Sequence, residues 1–197
     1  MSEASRQLQV DPAALKALAH PLRVRMYDLL DQEGPATASQ LAEKVGESSG
    51  TTSYHLRQLA RHGFIEEDPE RGNRRDRWWR VRPGGFHLEG WRYLEDPDTA
   101  AQVRMVGREL VRTYAGELQD WLDGVTDWER EWVQASVDSV TRFEGTREEL
   151  AALRDEVMGV IERHTAHARD RDAPEDSARL IVHFHAFPSR PGSEDDD

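Results

Sequence analysis

Two helix signatures separated by only three residues constrain this chain more than any other feature. Thr37-Ala-Ser-Gln40 fits a capping box, in which a Thr hydroxyl and a Gln side chain three residues on satisfy exposed amides reciprocally. It opens a short helix that buries Leu41 and Val45. Gly46-Glu47-Ser48 makes a turn, and SGTTSYHLRQLARHG starts a second helix near Ser49 that stops at Gly63. Thr52, Leu56 and Leu59 form the inner face of that second helix. Helix, short turn, helix is the arrangement that can set the second helix into a DNA major groove.

The flanking residues extend the pattern. Asp11 followed by Pro12 reads as an N-cap and first helical position, with Leu15, Leu18 and Leu22 at helical spacing. Pro21 breaks that helix after His20. Another helix runs from Pro21 to Asp31, burying Leu22, Met26, Leu29 and Leu30, and Gly34-Pro35 ends it. After Gly63, the strand-like runs 64–67 and 77–81 flank the turn-rich PERGNRRD, a hairpin with its tip at Gly72-Asn73. Trp79 and Val81 share one strand face and Trp78 and Arg80 the other, so one Trp is expected buried and its neighbour more exposed.

From Asp98 to about Gly124 one long helix is expected. Its seam of Val103, Val106, Leu110, Tyr114, Leu118, Trp121 and Val125 can cover the protein's own body or a second copy, and the second is favoured. Beyond it, Val133, Ala135 and Val137 alternate with polar residues, and Val140 to Phe143 continue the strand-like run. Thr146-Arg-Glu-Glu149 opens a helix with Leu150, Leu153, Val157 and Val160/Ile161 on its seam, and residues 179–187 read as a strand. The expected fold is mainly α with small β. Residues 1–10 are a flexible N-terminus, 11–92 a winged helix-turn-helix domain, and 98–125 a dimerisation helix. Residues 126–187 form a small α/β unit for effector sensing or dimerisation, and 188–197 a disordered acidic tail.

Charge divides along the same line. The chain holds 26 Lys+Arg and 38 Asp+Glu, a net of −12, which taken whole argues against a wholesale polyanion binder. Residues 1–92 nevertheless carry 14 basic and 13 acidic side chains, while residues 93–197 carry 12 and 25. Within the first part, residues 71–82 hold six Arg against one Asp, the focal basic footprint that a phosphate backbone selects. A solvated, salt-bridged hairpin would produce the same run. There is no cysteine, which excludes disulfides, thiolate metal sites and thiol nucleophiles. No apolar run approaches ~20 residues and no signal-like segment opens the chain, so a cytoplasmic protein outside the membrane is expected. No Gly-rich phosphate loop, G-x-S-x-G or H-E-x-x-H is present, and no enzyme activity and no cofactor are expected.

The stretch LAHPLRVRMYDLL, then TASQLAEKVGESSGTTSYHLRQLARHGFIEE, then the basic hairpin resembles the winged helix-turn-helix regulators of the ArsR type over residues 11–82. Ser53-Tyr54-His55-Leu56, with Leu59 and Gly63-Phe64-Ile65, is similar to that family's recognition helix and its exit. The resemblance implies a homodimeric transcriptional regulator, in most cases a repressor, that binds a pseudo-palindromic operator and responds to an effector. The chain departs from metal-sensing members that use cysteines, so thiolate sensing is excluded.

Ser49, Thr51, Tyr54 and His55 are placed away from the inner face, toward base edges, with Gly50 allowing close backbone approach. Arg57 and Arg61 are placed on phosphates, and Arg71, Arg74, Arg75 and Arg77 on phosphates or in the adjacent minor groove. Thr51 and Ser53 serve equally as ordinary helix-start residues, and His55 as a packing residue. His164 and His167 share a helix face and His183 and His185 a strand face; convergence of the pairs would hold zinc or nickel. A core His and a wet outer strand face are the commoner explanations of the two pairs. A small-molecule effector in an aromatic pocket between the long helix and the α/β unit is the other expectation, and Trp91, Trp121, Trp128 and Trp132 line such pockets or fill cores. Besides the regulator, an interaction module that has lost DNA binding fits the near-neutral first part.

Overall fold

The computed structural model describes residues 8–71, 77–169 and 171–189. The chain divides into two compact units, Met1–Asp127 and Trp128–Asp197.

In the first unit each helix begins where a side chain satisfies its free amides. The Asp11 carboxylate accepts the Ala14 N–H at 2.7 Å and starts α1 (Pro12–Leu18). The chain leaves helical geometry at Ala19 and His20, then re-enters it as α2 (Pro21–Glu33). There His20 caps through its ring, Nδ1 accepting the Leu22 N–H at 3.2 Å. A short strand, β2 (Ala36–Thr37), leads into α3 (Ala38–Val45). The expected capping box is formed on both sides: the Thr37 hydroxyl accepts the Gln40 N–H at 3.3 Å and the Gln40 side chain accepts the Thr37 N–H at 2.8 Å. Gly46, in the left-handed region at φ 72°, ends α3, a conformation that L side chains adopt only at a cost. Ser48 then caps α4 (Ser49–Arg61), which packs on α3.

After α4 the strands β3 (Ile65–Glu67) and β4 (Trp78–Val81) run antiparallel, with Ile65 opposite Val81 and Glu67 opposite Trp79. β2 adds to the other edge of β4, giving the order β2-β4-β3. Trp79 is buried while Trp78 is half-buried, as the alternation requires. The core gathers Leu15, Leu18, Met26, Leu30, Leu41, Leu56, Leu59 and Phe64. Each side chain of this kind contributes about 1.5–3 kcal/mol on full burial. Tyr27, Phe64 and Phe86 meet edge to face at centroid separations of 5.1–6.3 Å.

Residues 8–10 correct the expectation of a flexible segment over 1–10, whose first seven residues lie outside the described ones. β1 (Leu8–Gln9) pairs in parallel with β5 (Phe86–His87), and Val10 is buried. The Tyr93 hydroxyl donates to the Val10 carbonyl. Apolar Leu8 and Val10 bury against the core, and that burial holds the segment down.

The long helix α5 (Pro97–Gly124) begins at the Asp96 cap. Its seam is divided rather than uniform. Val103, Val106 and Leu110 join the core, with α5 packed on α1 and α2 and Val106 fully buried. Farther along, Tyr114, Trp121 and Val125 are half-buried and Leu118 is 40% exposed, while Leu122, beside the seam, is 50% exposed. The first half of the seam therefore covers the protein's own body, contrary to a whole-length dimer seam.

The second unit contains α6 (Arg130–Ala135) and α7 (Arg147–Arg169). The Thr146 capping box forms, Thr146 N–H donating to Glu149 Oε2 at 2.7 Å and Glu149 N–H to Thr146 Oγ1 at 3.1 Å. Those bonds hold the Glu149 carboxyl below its ordinary range. The expected α/β character is corrected: no strand occurs among the described residues of this unit. Val133 and Ala135 lie in α6, and residues 179–187 form no ladder. Alternation records which side chains share a face, but a strand exists only where a second backbone answers its amides and carbonyls. None of the unit's described residues is buried. The acidic tail expected at 188–197 lies outside the described residues except for its first two positions.

Candidate nucleic-acid interface

α4 is polarised around its axis. Thr52, His55, Leu56 and Leu59, at spacings of three and four, face inward and are buried. Ser49, Gly50, Tyr54, Arg57 and Arg61 are exposed and Thr51 is half-buried. Gly50 and Tyr54 are four residues apart and share one face with Arg57 and Arg61, so a polar strip with two cations runs the length of the helix. Thr51 is already engaged, its hydroxyl 2.9 Å from Ser48 Oγ, and the Arg57 Nε–H donates to the Ser53 carbonyl at 3.0 Å.

His55 takes the packing role, not the base-facing one. It is 7% exposed, so it does not face a groove. Its ring lies 4.4 Å from that of His20 and 5.3 Å from that of Tyr54. The inner stripe of α4 includes position 55 because 52, 55, 56 and 59 fall on one face, and a polar residue type disguised this in the sequence. Burial depresses the pKa of His55 below 6.5, the neighbouring His20 and Arg23 add to that, and Glu47 opposes it. His20 is lowered for the same reasons.

The described arginines of the hairpin each meet a neighbour within it. Arg71 lies over the Trp78 ring, 5.7 Å from its centroid. Arg77 pairs with Glu67 at 3.1 Å across the hairpin. Arg80 pairs with Glu66 through Nε at 2.9 Å and a terminal nitrogen at 2.8 Å, opposite it in register. Arg74 and Arg75 lie outside the described residues. The basic run is thus partly neutralised by its own cross-strand partners, which composition alone did not reveal. A concavity of about 590 Å³ between α2, α3 and the hairpin base is lined by Glu33, Lys44, Arg71 and Trp78.

The histidines of the second unit stay apart from any metal-binding cluster. His164, His167, His183 and His185 are exposed, and the rings of the last two are 6.5 Å apart. Among the described residues no group of three or more His, Asp or Glu is gathered as a metal would require. The expected convergence fails with the strand that was to carry one pair. No described helix is long and apolar enough to cross a membrane.

The sequence profile of a helix-turn-helix domain matches residues 18–68, which span α2, α3, α4 and β3. Residues 18–68 are a helix-turn-helix domain. Among solved structures, the domain region is similar to the homodimeric winged helix-turn-helix DNA-binding domain of a possible ArsR-family regulator from Mycobacterium bovis. That likeness has 25% identity and a TM-score of 0.33, over 54% of this chain and 81% of the other. A possible transcriptional regulator for arsenical resistance aligns at 29% identity and a TM-score of 0.31, over 52% of this chain and 93% of the other. HlyU from Vibrio cholerae aligns at 18% identity and a TM-score of 0.32, over 49% and 83%. No curated protein gives a significant match.

Proposed function

We propose that the protein is a sequence-specific DNA-binding transcriptional regulator that occupies a pseudo-palindromic operator as a homodimer. The observation that carries the reading is the polar outer strip of α4, set at the edge of the helix-turn-helix domain beside an arginine-rich hairpin. In this reading the α4 N-terminus enters the major groove, where Ser49, Thr51 and Tyr54 meet base edges. Arg57 and Arg61 meet phosphates, and Arg71, Arg74, Arg75 and Arg77 follow the backbone or the minor groove. The second half of the α5 seam, with exposed Leu118 and the adjacent Leu122, supplies apolar surface for a second copy. Repression follows from occupancy of promoter DNA, and an effector acts by shifting the two half-sites relative to each other.

A mobility shift with the DNA upstream of the protein's own gene, at moderate salt with competitor, tests the reading. A specific complex supports it, and its absence with and without cell extract as effector source refutes it. Arg74→Ala with Arg75→Ala should weaken binding to every sequence and flatten the salt dependence, each lost phosphate contact removing about 0.9 from the logarithmic slope. The Arg77–Glu67 and Arg80–Glu66 pairs favour a second reading, a protein-interaction module whose hairpin charge is spent internally.

A further inference from the structure

Arg23 lies in the first turn of α2, and its N–H donates to the His20 carbonyl at 2.9 Å. His20 rests on His55 of α4, so this turn of α2 sits over the recognition helix next to Tyr54. One Arg23 terminal nitrogen donates to the Lys16 carbonyl at 3.2 Å, which fixes the side chain's course. Its Nε is buried with no acceptor, and the guanidinium joins no ion pair among the described residues. Nearby, His55 is more than nine-tenths buried and its Nδ1 also lacks a partner.

A cation in this position is doubly disfavoured. Partial burial costs hydration that no carboxylate replaces, and the first turn of a helix is the positive end of its dipole. α2 has no acidic residue in that turn to compensate. Burial accordingly lowers the Arg23 pKa, with the Tyr54 phenol opposing the shift, while Glu47 acts on the two imidazoles instead. Tyr54, 54% exposed, puts the open side of the cluster on the same side as the polar strip of α4. Nε is closed to solvent and one terminal nitrogen is held by the Lys16 carbonyl, so the other terminal nitrogen is left to donate a charge-assisted bond to a phosphodiester oxygen.

We propose that Arg23 is a seat for a backbone phosphate of bound DNA, alongside the groove that α4 enters; this rests on the DNA-binding reading above. The contact is independent of sequence and fixes the register of α4 rather than reading bases. It adds a third element, the start of α2, to a contact surface otherwise made by α4 and the hairpin.

Fluorescence anisotropy of a mixed-sequence duplex of about 30 base pairs, between about 50 and 200 mM KCl, tests it with the full chain. Arg23→Gln should lower the logarithmic salt slope by about 0.9. Arg23→Lys should keep the slope but bind more weakly at fixed salt, because a compact ammonium cannot span the Lys16 carbonyl and a phosphate as the two terminal nitrogens of the guanidinium do. Melting temperatures without DNA monitor the fold. A wild-type slope in Arg23→Gln overturns the inference and leaves the DNA-binding reading standing. If the glutamine variant melts below the assay temperature, undiminished affinity of Arg23→Lys overturns it instead. A wild-type protein that fails to bind the duplex at any salt overturns the DNA-binding reading, and the inference with it.

Discussion

Gly50 separates what the fold requires from what the groove requires. It is the second residue of α4, and its φ is not in the positive region, so nothing in the backbone demands glycine. A methyl group built there meets only Ser48 Oγ, at an ordinary 3.8 Å. Alanine is favoured over glycine by about 0.5–1 kcal/mol inside a helix, and the lower figure applies near an exposed N-terminus. Gly50→Ala should therefore raise the melting temperature of the first unit by about 2–4 °C. In the proposed complex with DNA the same methyl stands where the helix backbone comes nearest the bases. It should hold the helix off and cost about tenfold in affinity, equivalent to about 1.4 kcal/mol. Differential scanning fluorimetry and anisotropy titration on the same preparation read both effects. Greater thermal stability with unchanged affinity would refute the approach of this face to DNA. Lower thermal stability would refute the claim that the site is open.

Acidification should act through the His20–His55 stack. The unfolded chain takes up these protons near pH 6.5 while the folded state resists them, so stability present above 6.5 is lost as pH falls below it. The melting temperature should drop between pH 7.5 and 5.5 and drop less in His55→Leu; equal drops would rule out the stack as the cause. Thr37→Ala removes one side of the capping box and should cost about 0.5–2 kcal/mol by urea denaturation, with Thr37→Ser recovering most of it. Leu118→Glu with Leu122→Glu should give a monomer by analytical ultracentrifugation with unchanged helix content, whereas a persisting dimer would place the contact elsewhere.

Where the sequence was informative, the signal was local and chemical. Asp11, Thr37 and Thr146 cap helices because their oxygens can reach amides two or three residues ahead, and Pro21 cannot continue the helix before it. The two tryptophans of β4 divided as a pleat demands. Long-range pairings were not legible. The two-residue ladder between β1 and β5 joins positions nearly eighty residues apart, and no property of Leu8-Gln9 names its partner. His55 is polar by type but lies on the buried face by helical phase, so its two readings part only once its burial is seen. Residues 179–187 show the opposite failure, since a well-patterned run found no neighbouring backbone among the described residues of its unit. In the interface, charge was readable but pairing was not. Six arginines within twelve residues announce a basic edge, and only register shows that Glu66 stands opposite Arg80.

α2 has different attachments at its two ends. At its C-terminal end Gln32 donates to Glu117 of α5 at 2.9 Å, and at its N-terminal end His20 lies against His55 of α4. Thirteen helical residues span about 20 Å, and a helix of that length is stiff. One rigid element thus ties Glu117 of α5 to His55 at the middle of α4. That same helix sets Val24, Met26 and Leu30 into the core, so the tie cannot shift without disturbing the packing around it.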